Sequence, residues 1–90
     1  MRPDTEAHLA LHRLAQALAS LPVLDSVYGM MVGTTMHVWV VLHDLSRPYE
    51  EAVFDAQIDT DPDFWLVIHL TDSPDTVPAN AEKVDMPTAV

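Results

Sequence analysis

The chain contains no cysteine, which excludes disulfides, thiol nucleophiles and thiolate metal sites. Positive charge is nearly as scarce: Arg2, Arg13, Arg47 and Lys83 stand against fourteen acids, for a formal charge of −10. A phosphate backbone is held mainly by Lys and Arg neutralising its charges, so direct reading of nucleic acid is not expected. No glycine-rich phosphate loop and no nucleophile elbow is present, and Ser20, Ser26, Ser46 and Ser73 have no recognisable partner pattern. No apolar run approaches the roughly 20 residues that span a bilayer. The opening "MRPDTEAHLALHRL" has neither the apolar h-region of a secretory signal nor the Arg-rich, acid-poor character of a transit peptide. The expectation is a soluble, cytoplasmic protein with no membrane partner.

What is present is enough for one modest core. Ninety residues, about half of them hydrophobic, predict a single α+β domain over residues 1–72, followed by an acidic, Pro-rich tail over 73–90 that is flexible or docked on the surface. Ala7, Ala10, Leu11, Leu14, Ala17, Leu18 and Leu21 recur at the three-and-four spacing of an amphipathic helix over 4–20, with Asp4 as N-cap and Pro22 as the stop. A β-rich stretch follows, and Gly33 with Thr34 turns it into a second strand over 35–43. Ser46, Pro48, Glu50 and Glu51 mark the start of a second helix, which buries Tyr49, Ala52, Val53 and Ala56. "FWLVIHL", residues 64–70, is the third strand. The order α-β-β-α-β predicts a two-layer sandwich: a three-stranded mixed sheet with both helices on one face.

That leaves the other face to account for. In "MHVWVVLH", residues 36–43, Met36, Val38, Val40 and Leu42 alternate with His37, Trp39, Val41 and His43, so both sides of the strand are apolar. The third strand repeats the pattern, and the simplest parallel register sets Trp39 beside Trp65, Val41 beside Val67 and His43 beside His69. Tyr28 and Met30 extend the same surface. Covering some 500 Å² of it would be worth on the order of 12 kcal/mol before ordering costs. The expected interface is therefore Tyr28, Met30, Trp39, Val41, Trp65 and Val67, joining two copies in a homodimer, with closure by the tail as the internal alternative.

Residues bearing chemistry are few. His8 and His12 lie at i and i+4 on the first helix but lack a third ligand. His37 and His43, roughly 20 Å apart on one strand, cannot share an ion. His43 with His69 is the better candidate for a metal or acid–base site. "DTDPD" spaces Asp59, Asp61 and Asp63 like the opening of a calcium loop, but Leu70 stands where the bidentate Glu belongs, so a solvated loop is expected. From Glu50 to Asp63 there are six acids and no base. Glu50, Glu51, Asp55, Asp59 and Asp61 form a candidate docking surface for a basic protein, in the manner of an inhibitor that imitates nucleic acid.

Across about residues 7–70 the order of elements resembles a pared-down nucleotidyltransferase core. That family carries a Gly-Ser near the end of the first strand and an Asp-x-Asp on the second. Here Gly29 is followed by Met30, and "TMHVWV" stands where the paired acids belong. Without two metal-binding carboxylates, the resemblance implies that phosphoryl transfer has been lost. The functional expectation is a non-enzymatic interaction domain without cofactor or metal. The alternative is a small hydrolase or transferase using His43 and His69.

Overall fold

The computed structural model describes residues 3–63 and 65–84 and shows an α+β fold with two helices and a four-stranded mixed sheet. Phe64, expected to open the third strand, and the tail residues Met86 and Val90 lie outside the described residues. No helix among those described is long and apolar enough to cross a membrane.

α1 (Pro3–Leu18) buries Ala7, Ala10, Leu11, Leu14, Ala15 and Leu18. The stripe runs through Ala15 rather than the expected Ala17, which faces solvent, because the alternating three-and-one spacing keeps the small alanines on the side that meets the sheet. Gly29 receives this helix: a Cβ placed there would stand 2.7 Å from Leu11 Cδ2. β1 (Leu24–Val32) and β2 (Thr35–Leu42) form the expected antiparallel hairpin. At its turn Gly33 holds φ +64°, a left-handed conformation that penalises any Cβ. Gly33→Ala is expected to cost about 1–2 kcal/mol, read as a lowered urea midpoint with an unchanged slope.

α2 (Arg47–Thr60) begins at Ser46, whose amide donates to Asp44 Oδ1 at 2.8 Å and whose carbonyl accepts from Tyr49 and Glu50. The crossover through α2 makes β3 (Leu66–Thr71) parallel to β2. α1 and α2 pack together on one face of the sheet, where Val27, Met36, Val38, Val40, Leu42, Val53 and Leu66 complete the core.

The expectation of three strands is corrected by a fourth, β4 (Glu82–Lys83), contributed by the segment read as tail. It pairs antiparallel with the outer edge of β1, setting Lys83 beside Tyr28 and Glu82 beside Gly29, and gives the order β3-β2-β1-β4. Two residues without alternation carry no periodic signal, so this strand is made by its partner's open edge rather than by its own pattern. To reach that edge from β3 the chain must pass β2 and β1. The helices occupy one face, so residues 72–81 take the other, which is also the route a right-handed return crossover requires. Val84 then enters the helix-side core, with its amide donating to Val27 O at 2.8 Å.

Candidate functional site

The pairing registers define the face opposite the helices. β1 presents Ser26, Tyr28 and Met30; β2 presents His37, Trp39 and Val41; β3 presents Val67, His69 and Thr71. The period-two assignment of faces on β1 and β2 is as expected, but the register of β3 is not. Trp39 pairs with His69 and His37 with Val67, a shift of four residues from the simplest alignment (69 − 65 = 4), or about 13 Å along the strand.

The cause lies at the end of α2. Asp61 accepts hydrogen bonds from the amides of Trp65 (2.8 Å) and Leu66 (2.9 Å), and Gln57 Nε2 donates to Leu66 O at 3.0 Å, so β3 is anchored to the helix terminus at its first residue. Trp65 therefore precedes the strand and packs against the helix-side core. It does not join Trp39, and the expected indole pair is corrected to a Trp–His pair.

Trp39 lies against His69, with ring centroids 4.9 Å apart and planes within 17°. His37 sits 6.1 Å from the Trp39 ring and 5.3 Å from that of His69. His37 Nδ1 and His69 Nε2 are 3.0 Å apart. The centroid separation exceeds this by 2.3 Å (5.3 − 3.0), about the two centre-to-nitrogen distances of the rings, so the imidazoles meet end to end. One N–H then donates to the other ring's lone pair. Chelation of one ion would need the two lone pairs to converge on a third point, which this in-line contact does not provide.

The pairing of His43 with His69 is corrected in the same way. His69 is level with Trp39, four residues before His43, while His43 Nε2 lies 3.5 Å from Asp25 Oδ1 at the exposed end of the hairpin. Among the described residues no group of three or more His, Asp or Glu is placed to hold a metal.

Two further expectations change with burial. Val41 is only 1% exposed and Ser26 only 3%, although neither belongs to the helix-side core. The 72–81 connection starts on this face beside Val41, where the hydroxyl of its strand neighbour Thr71 donates to Ser73 O at 3.1 Å and meets Thr76 Oγ1 at 2.8 Å, and Val77 and Pro78 are half-buried along it. Val41 is thus not open to a second molecule. Asp61, expected on an acidic docking surface, is 1% exposed and satisfies backbone donors instead. Asp59 and Asp63 remain exposed while Asp61 turns inward, so the three carboxylates do not converge on a cation. Of the other interface candidates, Tyr28, Met30 and Trp39 are half-buried and Val67 is 40% exposed.

His8 and His12 line a recess of about 380 Å³ between α1 and the β1–β4 edge, together with Met31, Met36, Glu82 and Lys83. The alternation of the strands had already placed His37 and His69 on one face. Only the register was missing from the sequence reading, and it depends on Asp61, which is far along the chain from His37. No family model, no curated protein and no solved structure matches this chain.

Proposed function

We propose that this protein is a small, acidic, non-enzymatic association domain that pairs with a second copy of itself through the sheet face opposite its helices. The observation that carries this reading is charge. The chain has fourteen acids, yet none occupies an outward position along the paired stretches of β1, β2 and β3 on that face, which offers Tyr28, Met30, His37, Trp39, Val67 and His69. For two copies that each carry −10, contact through these strand positions keeps carboxylates out of its centre, with Asp72 and Asp75 on the connection at its Val41 end. A two-fold contact is self-complementary, so one uncharged patch serves both partners. Aromatic rings and methionine are the groups enriched at interface centres, and each buried indole or phenol contributes about 150–250 Å² of contact.

The 72–81 connection covers the Val41 end of the face, so the contact centres on Trp39, Tyr28 and Val67. Trp39→Glu places a carboxylate in the middle of it on each copy. In sedimentation velocity the native protein is expected at twice the chain mass and the variant at the chain mass. A monomeric native protein, or a variant of unchanged mass, would reject the proposal.

A further inference from the structure

A second surface, distant in the fold from the sheet face, points to another partner. α2 turns Val53 and Gln57 into the protein, with Tyr49, Ala52 and Ala56 beside them. At about 100° per residue, Phe54 and Ile58 lie about 40° apart around the axis and one turn apart along it, on the exposed part of the helix. They are 45% and 57% exposed and, being neighbours on the helix, form one continuous apolar patch. Half-buried Glu50 borders Phe54 on one side, while Glu51, Asp55 and Asp59 follow Ile58 on the other, Glu51 being occupied by Arg47 at 3.1 Å. No other base lies in the helix. The outer side of α2 is therefore an apolar ridge bordered by carboxylates.

We infer that this ridge docks a basic amphipathic helix of a partner protein, with Phe54 and Ile58 as the apolar contact and Glu50, Asp55 and Asp59 paired to Lys or Arg on its flanks. Charge complementarity selects this occupant. A second copy would bring the same carboxylates against each other, and nucleic acid would meet a surface of its own sign. A purely basic segment would leave the two apolar side chains wet, whereas an apolar one would strip water from the carboxylates without pairing them. The partner's pattern follows: two large apolar residues at i and i+4 or i+3, with Lys or Arg on both sides.

The probe is a synthetic helix of leucine and lysine, about 18 residues long so that it folds on contact, compared with its leucine and glutamate counterpart. Binding is followed by calorimetry and by amide shifts of the labelled full-length protein. The lysine peptide is expected to bind and to shift amides between Glu50 and Thr60, and the glutamate peptide is expected not to bind. Phe54→Ser with Ile58→Ser preserves net charge and is expected to weaken binding about tenfold or more. Asp55→Asn with Asp59→Asn is expected to weaken it and flatten its salt dependence. Trp39→Glu is expected to leave it unchanged, which separates this inference from the sheet-face reading. Equal affinity of the Phe54/Ile58 double variant would show attraction by net charge alone and overturn the inference, as would shifts centred outside α2 or binding of both peptides.

Discussion

Asp61→Ala is expected to destabilise the protein by about 2–4 kcal/mol, a large share of the stability of so small a domain. The side chain is 1% exposed and receives the amides of Trp65 and Leu66 at 2.8 and 2.9 Å, with Gln57 Nε2 more distant at 3.5 Å. Truncation leaves two donors at the entrance to β3 without acceptors, at about 1–3 kcal/mol each, partly relieved where water can enter. Asp61→Asn keeps one oxygen but turns an amide toward a backbone N–H, so it is expected to recover little. A carboxylate at a helix C-terminus is disfavoured by the dipole, so its placement here is explained by the amides it accepts. Asp59 and Asp63 are exposed and accept no such bonds, and their alanine variants are expected within about 0.5 kcal/mol of the native protein. Urea unfolding measures all four. An Asp61→Ala variant as stable as the Asp59 and Asp63 variants would show that β3 is not anchored there.

Ending the chain after Asp72 is expected to cost about 3–5 kcal/mol and to expose apolar surface that binds a hydrophobic dye. The missing segment supplies β4, the Val84 side chain in the helix-side core, and the amide that donates to Val27 O. It also lies over the face that carries Val41, which is 1% exposed and pairs with Thr71, the residue whose hydroxyl meets Ser73 and Thr76. Removing it uncovers Val41 and Ser26, leaves the outer edge of β1 unpaired and empties the space beside Val27. An unchanged urea midpoint with no added dye binding would mean that the fold is complete without the crossover. Trp39→Glu, by contrast, is expected to alter the mass and, with the loss of its stacking on His69, to lower the urea midpoint without adding dye binding, so assembly and internal closure are measured separately.

Legibility differed between the two sides of the sheet. The helix-side core followed from periodicity: Leu11, Leu14 and Leu18 on α1 and Met36, Val38, Val40 and Leu42 on β2 are buried as their spacing predicts, because burial on one side imposes a fixed period. The other side was recognised as apolar but not assigned its neighbours. Shifting a parallel strand by an even number of residues preserves which side chains face outward, so the pattern around Trp39 fits His69 and Trp65 equally well. The acidic run misled in a similar way: Asp61 is indistinguishable from Asp59 and Asp63 by composition and differs from them only in facing two amide donors.

By itself the sequence determined two helices, a hairpin, a parallel third strand and a sheet apolar on both sides. These depend on side chains within a few positions of one another, and their periodicities are local. The tertiary structure alone decided the four-residue offset of β3, the meeting of His37 with His69, the inward turn of Asp61 and the passage of the last segment over Val41. The offset, the histidine contact and the last passage join groups distant along the chain; the bonds of Asp61 span only four and five residues, but nothing in the spacing of Asp59, Asp61 and Asp63 says which of them meets the two amides.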